Sequence, residues 1–440
     1  MEFTNPQDVK TPLSVKDVAA ANGKEITIHG GIHIIRDMGE FSFVVLRLPD
    51  GMCQCTVEKS TDFGGESICE EACIEVTGTV REEKRAPGGY EVVVKSGRVL
   101  SKPAAAMPIS INKHKITAAL ENEIPLRNIT LRNGNYRTRF RIQAEIVRGF
   151  RDYLDGQGFV EIHTPKINAK AAEGGANVFK MEYFGKKAVL AQSPQFYKQA
   201  MVGVYERVYE VAPVFRAEKH NTARHLNEYI SMDFEMGYID SFYDIMAVET
   251  GMLKLVMDRI REKYPREIAL MKLDIPVIES IPNVRFKDAK ELIAAEYGRE
   301  IKDPYDLDPD EEQLIGKYFK EKYNSDFVFV THYPAKKRPF YAMDDPEDPN
   351  YTLSFDLLFR GLEVTTGGQR IHDYDEQVAK IIRKKMNPDD FATYLNIHKH
   401  GMPPHGGLGI GLERLTMRLF NDDNIRYSSM FPRDMLRLVP

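Results

Sequence analysis

The 440-residue chain has no tryptophan and only four cysteines, all early in the sequence, at Cys53, Cys55, Cys69 and Cys73. A CxC followed by a CxxxC lacks the paired CxxC knuckles usual in structural zinc sites. The thiols therefore read as small, reduced hydrophobes, with zinc as the alternative. No stretch approaches the roughly 20 apolar residues of a membrane helix. The opening MEFTNPQDVK has no apolar signal core either, so a cytoplasmic protein is expected. A surplus of basic charge is also missing. The net charge of -5 excludes a chain that is basic throughout, so any RNA contact must be local. Neither GxGxxG nor GxxxxGKS/T occurs, and no regular βαβ repeat appears, which argues against a Rossmann or P-loop nucleotide site. What remains is an ordinary globular composition, 42% hydrophobic and 28% charged, long enough for a large core and two or three domains.

From Glu25 to Leu100 the pattern is short β runs broken by turns, with a brief segment between Ser67 and Ala72 separating the third and fourth. Five such strands match a small Greek-key barrel of the OB type, although a sandwich fragment shows the same alternation. Ser101 to Ile111, with two prolines and small residues, suits an extended connector. A helical period starts near Tyr136 and closes at Gly156 and Gly158, and the apolar strand FVEIHTP follows. Helices and strands then mix irregularly. Residues from Ser241 to Tyr323 look mostly helical, with acidic clusters such as DLDPDEE expected on solvated faces. The expected fold class is α+β with an all-β amino-terminal domain. Its divisions are a barrel at 1–104, a linker at 105–135 and a larger domain at 136–440.

Three runs carry candidate chemistry. In Arg207 to Met236 two strand-like segments flank a loop too polar for core. Arg216 and Glu218, two apart on a strand, would share a face, while Arg224 and His225 project from the loop. A guanidinium holds a phosphate through two hydrogen bonds and stays charged. A surface hairpin with incidental ion pairs is the plain alternative. In GGLGIGLER, Gly406 to Arg414, glycines let backbone approach a ligand and Arg414 opens a helix. Between these runs, FDLLFRGLEVTTGGQR supplies Asp356, Glu363, Thr366 and Arg370. Hard oxygens near phosphates are what Mg²⁺ requires, though the carboxylates could equally be sheet ion pairs.

The strand ending FVEIHTPKI, the FRAE segment with its HNTARHLNE loop, and GLGIGLERL, in that order, resemble the three signature motifs of class II aminoacyl-tRNA synthetases. The resemblance spans essentially the whole chain. An OB-fold before the catalytic domain is the layout of the aspartyl, asparaginyl and lysyl subgroup, and the FPRD ending is similar to archaeal-type aspartyl enzymes. The resemblance implies an anticodon-binding barrel, ATP-dependent activation of L-aspartate with Mg²⁺, and transfer to tRNA(Asp) through an aspartyl-adenylate. It also implies a homodimer whose interface is built by the motif ending at Pro165.

Carried over residue by residue, Arg216 would hold the α-phosphate, Glu218 would face adenine, and Arg224 with His225 would reach the outer phosphates. Arg414 would clamp the γ-phosphate. Leu226, Gly411, Leu412 and Glu413 complete the implied ATP site. Asp356, Glu363 and Thr366 would organise Mg²⁺, although the family more often has serine in place of Thr366. Arg216 and Arg414 would act on the reacting phosphates, and no protein base or nucleophile is implied. Lys198 and Arg370 would hold the substrate side-chain carboxylate. Glu173, Gln195 and Asp233 would bind its ammonium, with Arg216 and Thr366 also near the amino acid. Phe43, Gln54 and Glu91 would contact the anticodon, an aromatic stacking on a splayed base while amide and carboxylate read its edge. Members strict for the aspartate tRNA tend to carry tryptophan where this chain has His33 and lysine where it has Pro87. The resemblance therefore implies charging of tRNA(Asn) as well. An asparaginyl enzyme and a non-catalytic RNA-binding paralogue are the rival readings. A lysyl enzyme would need acidic residues where Lys198 and Arg370 stand.

Overall fold

The computed structural model describes residues 9, 11–170, 177–219 and 221–440. Two compact units emerge, one running to Ala119 and taking up Ile129–Gly134, the other made of Leu120–Asn128 and Asn135–Pro440. The stretch 105–135, expected as a linker, divides between them.

In the first unit, helix α1 (Val15–Ala20) is set by a capping box between Ser14 and Asp17. Strands β1 (Glu25–Asp37), β2 (Phe41–Arg47), β3 (Met52–Glu58), β4 (Cys73–Glu82) and β5 (Tyr90–Ser101) form a closed barrel in the order β1-β2-β3-β5-β4. β1 closes it by pairing first with β4 and then with β2, across a register shift between Ile32 and Ile34. Alternation sends Cys53, Cys55 and Val57 into a core with Val44, Leu46 and Ile74, whereas Cys69 and Cys73 are exposed.

The short helices α2 (Leu120–Glu123), in the second unit, and α3 (Arg127–Thr130), divided between the two, precede α4 (Gly134–Gly156), which belongs to the second unit from Asn135 on. Ile142, Ile146, Phe150 and Leu154 recur every fourth residue on the buried face of α4. β6 (Val160–Glu161) follows, much shorter than the seven-residue strand expected from FVEIHTP. β7 (Ile167–Asn168), β8 (Lys180–Tyr183) and β9 (Lys186–Leu190) make a small separate sheet. After α5 (Gln195–Tyr205) come β10 (Arg207–Phe215), β11 (Glu228–Gly237), α6 (Phe242–Lys263) and α7 (Pro265–Met271). The chain continues through β12 (Asn283–Arg285), α8 (Phe286–Tyr297), α9 (Pro309–Tyr323), β13 (Phe327–Thr331), β14 (Ser354–Phe359) and β15 (Leu362–Arg370). It ends with α10 (Tyr374–Arg383), α11 (Ala392–Lys399), β16 (His405–Gly411) and α12 (Leu412–Leu419). The eight-stranded sheet runs β12-β13-β14-β15-β16-β11-β10-β6, antiparallel except at its two edge pairs. Its core joins α4 and α6 to Phe234, Phe355 and Leu408. Among the described residues no helix is long and apolar enough to cross a membrane.

Two expectations need correcting. β10 stops at Phe215, so Arg216 and Glu218 lie in the loop beyond the strand and share no strand face. The DLDPDEE cluster is not a solvated face throughout: Asp308 caps α9, and Glu311 and Glu312 are only 2% and 8% exposed. A carboxylate in the first turn of a helix is favoured by the backbone N–H groups there, and Glu311 also takes Lys290 at 2.6 Å.

α6 carries a buried carboxyl, Glu249, which accepts the Thr365 hydroxyl at 2.6 Å. Burial pushes this group up to about 8, against an ordinary value of 4.5. Between those two values the folded chain keeps a proton that the unfolded chain has lost, so stability falls as pH rises, by on the order of 1.4 kcal/mol per unit. Glu249→Gln removes that proton linkage. Its melting temperature is expected to fall less steeply than the parent's from about pH 6 to 8. Identical slopes in the two proteins would mean that Glu249 is already ionised in the fold.

Candidate active site

Helix α5 starts directly after Pro194, and its buried residues are Gln195, Lys198, Gln199 and Val202, one face at i, i+3, i+4 and i+7. On β11, Ser231, Asp233 and Glu235 alternate onto one side and stand in register with Gly411, Gly409 and Gly407 of β16. A Cβ at Gly407 would come within 2.3 Å of Glu235 Oε2, and one at Gly409 within 3.0 Å of Asp233 Oδ1. The glycines of GGLGIG thus make room for buried carboxylates on the neighbouring strand, as well as lining a cavity at Gly409 and Gly411.

Lys198, 2% exposed, spends its ammonium on Asp233 Oδ1 at 3.0 Å, the Leu408 carbonyl at 2.8 Å and Glu235 Oε2 at 3.2 Å. Arg370 Nε donates to Glu235 Oε1 at 2.8 Å and Nη2 to the Gly407 carbonyl at 2.8 Å. Glu235 therefore ties the two cations together. Burial alone would raise its carboxyl, but Arg370 and Lys198 hold it below the usual range. Behind them, fully buried His405 contacts the Pro403 carbonyl and the Gln199 amide, both at 2.9 Å. Burial lowers this imidazole to about 4, so it is neutral near pH 7.

Gln195, Lys198, Asp233 and Arg370 line a cavity of about 700 Å³. Arg216, Glu218, Arg224, His225, Leu226 and Arg414 line the same cavity, as do Glu363, Thr366 and Glu413. Glu218 lies 3.9 Å from Arg216 and 3.8 Å from His225. Arg414 Nη1 donates to the Glu363 carbonyl oxygen at 3.0 Å and to its Oε1 at 3.2 Å, and the Thr366 hydroxyl reaches the same Oε1 at 3.2 Å. Glu413 accepts the Ile230 amide at 3.1 Å, and burial raises it to about 8. Leu226 packs with Leu362, Met417 and Ile425.

Other expected members stand apart. Leu412 belongs to the main core. Asp356 sits behind Arg338, whose Nη2 is 2.8 Å from Asp356 Oδ2. Burial, with the charge of Glu363, raises Asp356 to about 6. Burial would raise Glu363 too, but Arg414, Arg338 and Arg216 hold it low. Glu173 lies outside the described residues.

In the barrel, Gln54 and Glu91 face each other across parallel β3 and β5, and the Gln54 amide donates to Glu91 at 2.8 Å. Arg81 Nε donates to the other Glu91 oxygen at 2.7 Å. Phe43, edge-on to Phe41 at 5.1 Å, and Glu91 line an open cavity of about 580 Å³. His33 sits at the β1 register shift, 3.4 Å from Arg47, and Pro87 opens the Pro87–Gly89 turn between β4 and β5.

Three site residues escaped the sequence reading. Glu235 could have been found two residues after Asp233 on the same strand. Arg338 and Glu312 gave no such signal, since their partners lie far along the chain.

A family model described as tRNA synthetases class II (D, K and N) matches residues 120–435, and one for the OB-fold nucleic acid binding domain matches residues 26–100. An aspartate–tRNA(Asp/Asn) ligase of Deinococcus radiodurans is 44% identical over 97% of this chain and 98% of its own. The enzyme of the same name from Thermus thermophilus is 45% identical over 97% and 99%. An aspartate–tRNA(Asp) ligase of Pyrococcus furiosus is 36% identical over 98% and 100%. Among solved structures, asparaginyl-tRNA synthetase of Pyrococcus horikoshii with asparaginyl-adenylate superposes with a TM-score of 0.89 at 29% identity, covering 98% of this chain and all of that one. Aspartyl-tRNA synthetase of Entamoeba histolytica gives 0.83 at 31%, covering 98% and 93%.

Proposed function

Because the chain belongs to the class II aminoacyl-tRNA synthetases of the aspartyl, lysyl and asparaginyl group, we propose that its cavity takes aspartate against Lys198 and Arg370 and ATP against Arg216, Arg224, His225 and Arg414. The enzyme is an aspartate–tRNA ligase: it activates L-aspartate with ATP and transfers the aspartyl group to tRNA. The aspartate α-carboxylate attacks the α-phosphorus in line and pyrophosphate leaves. A ribose hydroxyl at the tRNA end then attacks the adenylate carbonyl and AMP leaves. Positioning and electrostatics can supply most of the rate of such steps.

The observation that carries the choice of amino acid is the buried Lys198–Glu235–Arg370 cluster. Arg370 commits Nε and Nη2 to Glu235 and Gly407, while Nη1 makes no hydrogen bond among the described residues of this cavity-lining side chain. A substrate carboxylate accepts from such donors, whereas an amide would turn its own N–H groups against cations and a lysine would meet like charge. Asp233, Gln195 and Glu173 are assigned to the substrate ammonium. The asparaginyl likeness reflects the shared fold, and identity is higher to the aspartate ligases.

The donor set also suits Mg²⁺. Asp356 and Thr366 stand opposite each other in register, Thr366 bonds Glu363, and burial with the charge of Glu363 raises Asp356 against the pull of Arg338. Among the described residues no group of three or more His, Cys, Asp or Glu is placed to hold a metal. The Thr366 hydroxyl and substrate phosphates would therefore complete the shell, as is usual for Mg²⁺. When bound, the ion offsets charge on the phosphate oxygens. Arg216 faces the α-phosphate, Glu218 the adenine and Arg414 the γ-phosphate.

The reading extends to tRNA(Asn), to a cytoplasmic homodimer, and to anticodon contact at Phe43, Gln54 and Glu91. His33 and Pro87 support the wider tRNA range, and the relatives named for both tRNAs are 39–45% identical against 36% for those named for one. Purified tRNA(Asp) and tRNA(Asn), each offered labelled aspartate or asparagine, test it. Aspartate is expected on both; aspartate on tRNA(Asp) alone would remove tRNA(Asn), and asparagine loading would overturn the amino acid.

A further inference from the structure

α9 is fixed against the β14–β15 turn by two glycines. A Cβ at Gly316 would lie 2.4 Å from the Gly361 nitrogen, and one at Gly361, whose φ is +71°, 2.7 Å from Gln313 Cα. No larger residue fits either position without moving the helix. This close seat brings Glu312, in the first turn of α9, to the start of β15. Glu312 Oε2 accepts the Glu363 backbone N–H at 3.2 Å and also the Arg224 Nη2. Arg224 stands on the loop between β10 and β11, 88 residues away in sequence. Its Nε and Nη1 make no hydrogen bond among the described residues, and it lines the cavity.

We propose that Glu312 is a positioning residue for ATP, holding the Arg224 guanidinium by one edge so that its other N–H groups meet the outer phosphates already oriented. A loop arginine left to itself must give up rotamer freedom on binding. Fixing it beforehand reduces that loss, and a guanidinium has donors enough to keep one carboxylate while it takes a phosphate. Glu312 thereby links Arg224 to Glu363, on which Arg414 also converges. The inference rests on the reading of Arg224 as an outer-phosphate ligand.

The test is ATP–pyrophosphate exchange by the full chain with Mg²⁺, varying ATP and aspartate separately. Glu312→Leu is expected to raise KM for ATP about tenfold and leave KM for aspartate unchanged. Glu312→Gln, which keeps an acceptor for Arg224 and the Glu363 amide, should stay within about threefold of the parent. Arg224→Ala should raise KM for ATP on its own, and the double variant with Glu312→Leu should be no worse than Arg224→Ala. If Glu312→Leu does not fold, Glu312→Asp, one methylene short of Arg224, replaces it in the cycle with the same expected direction. An unchanged KM for ATP in Arg224→Ala would sink the phosphate reading of Arg224. A raised value there, with Glu312 variants at parental KM or with additive effects, would overturn the role of Glu312 alone. So would a parallel rise in KM for aspartate, which marks a general structural effect.

Discussion

Lys198→Leu is expected to lower aspartate-dependent ATP–pyrophosphate exchange by about 10²–10³-fold, the range for removing one partner of a buried, hydrogen-bonded charge pair. Lys198 is 2% exposed and satisfies Asp233, Glu235 and the Leu408 carbonyl at once. Its loss leaves two buried carboxylates beside the place where a third, the substrate's, must enter. The cluster then changes from a receptor for negative charge to one that repels it. ATP binding measured by calorimetry should change by no more than about twofold, because Arg216, Arg224 and Arg414 share no hydrogen bond with Lys198. Retained ATP binding also separates a damaged pocket from a damaged fold, since leaving buried charge unpaired can cost about 3–5 kcal/mol. Parental aspartate affinity in a variant that still binds ATP would remove the basis for assigning the carboxylate to Lys198.

The barrel was legible because half-buried strands alternate. Cys53, Cys55 and Val57 fall on the core side of β3 for that reason alone. α4 was legible because Ile142, Ile146, Phe150 and Leu154 keep a helical period. The site was legible only where motif spacing carried it. Arg216, Arg224, Asp233 and Arg414 do meet at one cavity, although Arg216 reaches it from a loop and not from a strand face.

What was not legible depends on partners distant in sequence. Glu235 stands two residues past Asp233, but its role shows only beside Lys198 and beside Arg370, 135 residues on. Read by composition, DLDPDEE is a water-facing acidic run. Its Glu312 is buried because the glycines at 316 and 361 let a helix sit close to a turn 45 residues later in the chain. The glycines of β16 have a second duty of the same kind: Gly409 and Gly411 line the cavity, and Gly407 and Gly409 also make room for carboxylates on β11. Local pattern fixes which strands form. Which charges lie opposite each other follows from register, and register is a property of the whole sheet.

Arg216→Ala is expected to reduce kcat for exchange by about 10²–10³-fold, the usual effect of removing one preorganised donor from charge that develops in a transition state. Arg216 differs from Lys198 in its surroundings. Its side chain is 38% exposed, whereas that of Lys198 is 2% exposed and makes three short contacts. As a donor aimed at charge that develops on the α-phosphate oxygens, Arg216 should act on kcat more than on KM. Arg216→Lys should recover little, because an ammonium lacks the planar fork that meets two phosphate oxygens together. KM for aspartate should stay near parental, since the Lys198–Glu235–Arg370 cluster makes no hydrogen bond to Arg216. A loss confined to KM for ATP would place Arg216 in ground-state binding and leave the α-phosphate to another cation of the cavity.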